Sequence, residues 1–172
     1  ADTTFSSGTV IASTWLNDVN AESYKANKVL LTGADPTGAT DNTALLKALF
    51  DACIPAGKVV VLPGGTYKVS GPISTTTLIA SGSLHIECLG DVTISVDGAA
   101  SAFTTLLACY TTAINNSTIK GGRLTLELNN LCANGIYLRH AGTNGGSVDW
   151  GPITVNDAKN TFDVAEENQA LL

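Results

Sequence analysis

"GADPTGATDNTALLKALFDACIPAGKVVVLPGGTYKVS", residues 33–70, carries two hydrophobic rhythms joined by one short turn. In the first half Leu45, Leu46, Leu49, Phe50 and Cys53 fall on one side of a 3.6-residue repeat, which marks an amphipathic helix of about three turns over residues 41–54. Asp41, or Thr40 before it, offers a side-chain oxygen to the first free amides, and Pro55 with Gly57 ends the helix. Past Gly57 the period drops to two: "KVVVLP" and "TYKVS" read as strands divided by Gly64 and Gly65.

The period of two continues downstream in "SLHIEC" (83–88), "DVTISVD" (91–97), "GRLTLELN" (122–129), "NGIYLRH" (134–140), "GSVDW" (146–150), "PITVN" (152–156) and "NTFDV" (160–164). Within them Leu84, Ile86 and Cys88 oppose His85 and Glu87, and Leu124, Leu126 and Leu128 oppose Thr125 and Glu127, so each strand has one apolar and one wet face. Many short strands of this kind fit a sandwich, a barrel or a solenoid. Cys88, Cys109 and Cys132 recur at intervals of 21 and 23 residues, and a regular long interval favours the solenoid, because stacked coils place equivalent positions one strand spacing apart, roughly 4.8 Å. The expectation is an all-β solenoid of about 22 residues per coil. The helix acts as a lid over its open first coil.

Composition bounds the function. The chain has 172 residues, the size of one domain. Its charged fraction of 14% is low against roughly 25% in ordinary domains. Nine basic residues, scattered without a run, and a net charge of -6 argue against nucleic acid as a partner. No apolar stretch approaches the ~20 residues of a spanning helix, so membrane insertion is not expected. The four cysteines lack the close paired spacing of a zinc site, so neither a metal nor another cofactor is expected. The "ADTTFSSG" start has no signal-peptide pattern and the chain has no Met, which reads as a piece cut from a longer protein. Two units are expected: an attachment segment at 1–30, with helical turns in "STWLNDVN" (13–20), and a solenoid at 31–172 with coils from about residue 57.

The opening stretch, through Gly33, Asp35, Gly38, Asp41, Thr43, Pro63, Gly65, Thr66 and Tyr67, resembles the start of right-handed parallel β-helix proteins of the pectate-lyase-like superfamily. "GTVIASTWLNDVN" (8–20) is similar to a segment found ahead of that start in bacteriophage tailspike and tail fibre proteins. The resemblance implies a right-handed parallel β-helix with an N-terminal capping α-helix, forming the N-terminal portion of a virion-tail spike outside the host cell. It further implies a homotrimer joined to other virion tail proteins. Such spikes bind bacterial capsule or lipopolysaccharide and often depolymerise it, as glycoside hydrolases or lyases.

Chemistry within the chain is a separate matter. Glycoside hydrolysis needs two carboxyl groups, roughly 5–5.5 Å apart for retention or 6.5–9.5 Å for inversion. Glu127 and Asp149 share outward parity at an interval of 22 residues, so a 22-residue coil would set them side by side as a catalytic pair. Arg139 and Tyr137, also outward, would supply a carboxylate clamp and a sugar-stacking ring. The competing reading takes outward Glu and Asp as solvated face, leaving the chain structural and inactive alone. His85 and His140 lack Ser or Cys partners in a motif, and His140 reads as a loop residue. Trp150 reads as core, the cysteines as small buried hydrophobes, and "GTNGG" (142–146) as a turn rather than a phosphate loop. Two classes stay open: a spike stem, or a small self-contained polysaccharide lyase or glycoside hydrolase.

Overall fold

The computed structural model describes residues 27–112, 116–140, 147–159 and 169–171. The helical turns expected at 13–20, the turn at 142–146 and the strand at 160–164 lie outside them. The first coil runs through β1 (Lys28–Leu30), β2 (Thr37–Asp41) and the helix α1 (Thr43–Ala56). The second contains β3 (Val59–Leu62) and β4 (Gly65–Val69), and the third β5 (Leu84–Cys88), β6 (Val92–Val96) and β7 (Phe103–Thr111). The fourth contains β8 (Ser117–Gly121), β9 (Leu124–Glu127) and β10 (Cys132–His140), and β11 (Val148–Trp150), β12 (Ile153–Asn156) and β13 (Gln169–Leu171) follow.

These strands stack into three walls. Wall A is β1-β3-β5-β8-β11 and wall B is β2-β4-β6-β9-β12, each parallel throughout. Wall C pairs β7 with β10 in parallel, and β13 joins β10 antiparallel. The chain is therefore an all-β parallel β-helix with an N-terminal helix. Inward residues form one continuous core that includes Tyr67, Ile86, Ile94, Ile119, Leu126 and Ile136.

Three expectations need correction. Val59 pairs with His85, 26 residues on, Phe103 with Cys132, 29 on, and Leu84 with Ser117, 33 on, so a coil is longer than 22 residues and uneven in length. Three walls and their corners need that much chain. The cysteines do not stack: Cys88 faces Gly121, Cys109 faces Leu138 and Cys132 faces Phe103. The ladder that does exist is Thr37, Thr66, Thr93, Thr125 and Thr154, in register on the outer side of wall B. The coils also begin upstream of the helix, at Lys28 rather than near residue 57, because β1 already pairs with β3.

The helix begins two residues later than expected. The Asp41 carboxylate accepts the Thr43 amide at 2.8 Å, while the side chain of Asn42 turns back to Asp35 and Thr40 and braces the preceding loop. Asp35 in turn accepts the amides and hydroxyls of Thr37 and Thr40, which hold its carboxyl far below the usual range. At the other end Gly57, at φ 61°, and Lys58 donate to the carbonyls of Ile54 and Cys53, a Schellman closure. Leu46, Phe50, Cys53 and Ile54 are buried against β3 and β5, whereas Leu45 is 45% exposed. The inward stripe is thus rotated from the expected one. Phe50→Ala should cost about 3–5 kcal/mol in a denaturant melt, and Leu45→Ala less than about 0.5 kcal/mol.

The corner between walls A and B is closed by backbone alone. Leu89 donates to Leu62 at 2.9 Å, Gly122 to Cys88 at 2.8 Å and Gly151 to Ile119 at 2.7 Å. A Cβ on Gly121, at φ 89°, would stand 2.2 Å from the Cys88 carbonyl oxygen, and one on Gly122 would stand 2.1 Å from that of Gly90. No side chain fits there. Gly121→Ala should lower stability by at least about 2 kcal/mol, while Gly98→Ala, which meets open space, should leave the thermal midpoint in place.

Candidate functional site

Wall C is where the coil departs from regularity. On its coil-two side β7 has no full strand partner; residues 73–79 run beside it instead. Ile73 donates to Leu106 at 2.8 Å and Ile79 to Tyr110 at 2.9 Å. Between these rungs the buried Ser74 hydroxyl accepts the Ala108 amide at 2.6 Å and donates to its carbonyl at 3.0 Å, standing in for a missing backbone unit. Thr75 to Leu78 therefore bow into solvent. Beneath the bow an open cleft of ≈ 100 Å³ lies between the end of α1 and β7.

The cleft is lined by the apolar residues Pro55, Ile79 and Tyr110 and the polar residues Asp51, Thr75 and Thr77. Asp51 accepts the Thr75 amide at 2.6 Å and the Lys47 ammonium. Partial burial would raise its pKa, but the hydrogen bonds from Lys47 and Thr75 outweigh that and hold it below its ordinary value. From the next coil Arg139 stacks over the Tyr110 ring with Cζ 4.9 Å from the centroid. Arg139 stands opposite Tyr110 and Tyr137 opposite Ala108 in the β10–β7 register. The fold thus places the two expected substrate-binding residues together on wall C. It adds Tyr110 and Asp51, which the sequence reading missed.

The expected catalytic pair is not brought together. Glu127 lies on wall B, opposite Ser95 and Asn156, and accepts the Asn156 side-chain amide at 2.6 Å. Asp149 lies on wall A, opposite Thr118, and pairs with Lys120 at 3.3 Å in an exposed setting. The coil advances 29 residues from Leu124 to Ile153 and 31 from Ser117 to Val148, so a 22-residue interval joins different walls. Other outward acids are engaged as well: Glu87 with Lys28, and Asp97 with Lys68 at 3.5 Å. Among the described residues lining the cleft, Asp51 is the one carboxylate.

The remaining reactive side chains are quiet. His85 bonds Thr118 at 2.9 Å, and burial, aided by Lys120, keeps its pKa below the ordinary value, so it is neutral at pH 7. Burial pushes the thiols of Cys88 and Cys132 up to about 11, which leaves them unreactive. His140 ends β10 opposite Thr111 and is not a loop residue. Half-buried Trp150 packs against the core and donates Nε1 to Ser117 at 2.9 Å. Among the described residues no group of three or more His, Cys, Asp or Glu side chains is placed to hold a metal.

A coil of parallel walls with a cleft and an aromatic–guanidinium stack on one of them defines a β-helix with a groove-like face. Residues 26–86 match the family described as rhamnogalacturonase A/epimerase, pectate lyase-like, a span that reaches from just before β1 to Ile86 of β5. Comparison with curated proteins and with solved structures gave no significant match. The match agrees with the parallel β-helix superfamily and suggests a polysaccharide-related function.

The depressed pKa of Asp51 makes a pH prediction. Below its ordinary value of 3.8 the unfolded chain takes up a proton that the folded chain resists, so the stabilisation is present above that pH and is lost as pH falls. Asp51→Asn should flatten the acid limb of stability below about pH 4, read by circular dichroism.

Proposed function

We propose that this chain is the N-terminal part of a bacteriophage receptor-binding spike, an attachment and stem piece whose parent recognises bacterial capsule or lipopolysaccharide and depolymerises it. The parent stands on the virion tail, outside the host cell, as a homotrimer docked to other tail proteins. The resemblance of residues 33–70 to the start of such spikes supports the lineage, and the pectate-lyase-like match supports the polysaccharide.

One observation carries the division of labour. Glu127 and Asp149 hold inter-coil partners on separate walls, and the cleft offers a single carboxylate, so among the described residues neither the expected pair nor the cleft supplies the two facing carboxyl groups of a glycosidase. The chain by itself binds and supports. Incubated with purified capsular polysaccharide or lipopolysaccharide, it should release neither reducing ends nor unsaturated uronates. Product formation that disappears in Glu127→Gln or Asp149→Asn would establish the self-contained lyase or hydrolase instead. Light scattering on the full spike should return three times the monomer mass.

A further inference from the structure

The outer face of wall A changes character along the solenoid. Val60 and Leu62 belong to the core, so Val59 and Val61, which alternate with them, face outward. Val61 stands in register between Leu30 of the first coil and Glu87 of the third. Leu30 is 49% exposed, and Leu89, whose amide bonds the Leu62 carbonyl at 2.9 Å, is 57% exposed. From the fourth coil onward the same side carries Thr118, Lys120 and Asp149 instead. Leucine and valine thus occupy the outer wall near its start, and hydroxyls and charges occupy the remainder.

Electrostatics narrows what can cover the apolar stretch. Lys28 and Glu87, the charges that frame it, reach across the second coil to each other. A charged occupant finds little unmatched charge to meet, whereas an apolar one removes the two leucines from water.

The point of entry of the chain names the occupant. Residues 1–26 lead directly into Asn27 and β1, the strand that carries Leu30. Within them Val10, Ile11, Trp15, Leu16 and Val19 bring apolar surface. The connection from Asn20 to Ala26 can span up to about 24 Å. Leu30 and Leu89 lie two coils apart, which is about 10 Å. A segment joined so closely has a local concentration at the wall of roughly millimolar, beyond that of a partner arriving from solution.

We infer that residues 10–19 dock on the outer face of wall A, across Leu30, Val61 and Leu89, so that the chain covers its own first coils. Trp15 is the anchor, because its indole is the largest apolar group in the segment and the two leucines offer it contact on either side. The docking holds the leading segment along wall A. It is independent of what a longer parent protein binds.

The test uses the full chain with 5-fluorotryptophan at its two tryptophans, Trp15 and Trp150. Trp15→Phe assigns the two fluorine resonances, and a peptide of residues 1–26 supplies the undocked position. In the full chain the Trp15 resonance should be displaced from the peptide position, and a soluble gadolinium chelate should relax it several-fold less than it relaxes the peptide. Leu30→Asp and Leu89→Asp should each return it towards the peptide position. Thr118→Asp, farther along the same wall, should leave it in place. Trp150 on β11 reports folding, and its resonance should stay put in all three variants.

The chelate measurement needs no variant, so it decides the matter even where a substitution disturbs the fold. A Trp15 resonance at the peptide position, equal relaxation of chain and peptide by the chelate, or indifference to both leucine variants overturns the docking. A displaced resonance that returns to the peptide position on dilution overturns it too, since the segment then sits on a second copy.

Discussion

Every coil is held to its neighbour by backbone hydrogen bonds that continue round the corner between walls A and B. The bonds from Leu89 to Leu62, Gly122 to Cys88 and Gly151 to Ile119 extend the parallel ladders through the turns, so the two walls form one continuous strip. That requirement determines Gly121 and Gly122, since a Cβ on either would occupy the space of the preceding coil's carbonyl. It also determines the interior. Once walls are fixed at one strand spacing, inward side chains stack directly on one another, and only apolar residues of moderate size fill such columns.

The same constraint explains the outer face. Residues in register on successive coils are forced into contact, so like charges would repel and unlike groups settle into pairs. Asn156 with Glu127 is a pair of this kind, Lys120 with Asp149 is a diagonal one between neighbouring coils, and Lys28 reaches past the second coil to Glu87 on the third. Carboxylates used in this way stabilise the stack modestly and are not free for acid–base work. The functional opportunity lies where the ladder is broken, along 73–79, because there a side chain, Ser74, replaces a backbone rung and a hollow lies beside it.

Much of the fold was legible in the residues. Alternation in 84–88, 92–96 and 124–128 marked strands with one wet face, and the helix with its stop at Gly57 was plain, although Pro55 lies inside the last turn and does not end it. β7 escaped notice because Thr105 to Cys109 are all buried, Ala108 beneath the bow, and a strand covered on both sides loses its period of two. β8 escaped because Ile119 is its one aliphatic residue. The period was misjudged because cysteines are easy to see in a sequence and share inward parity, whereas the true register ran through the threonines of wall B and the corner glycines. Parity alone set Tyr137 and Arg139 outward on one strand, where Arg139 meets Tyr110. Asp51 and Tyr110 were not legible, since one looks like ordinary helix surface and the other sits in the unread strand. Their meeting depends on coils one, two and three stacking.

The turns of the spring are unequal in how they tolerate change. Two or three residues separate wall A from wall B in coils two to five, while the passage from β7 to β8 or from β6 to β7 is longer and varies. The tight corner behaves as a spine on which the coils are threaded. The opposite margins are free to lengthen, and new surface chemistry can be added there without disturbing the stack beneath.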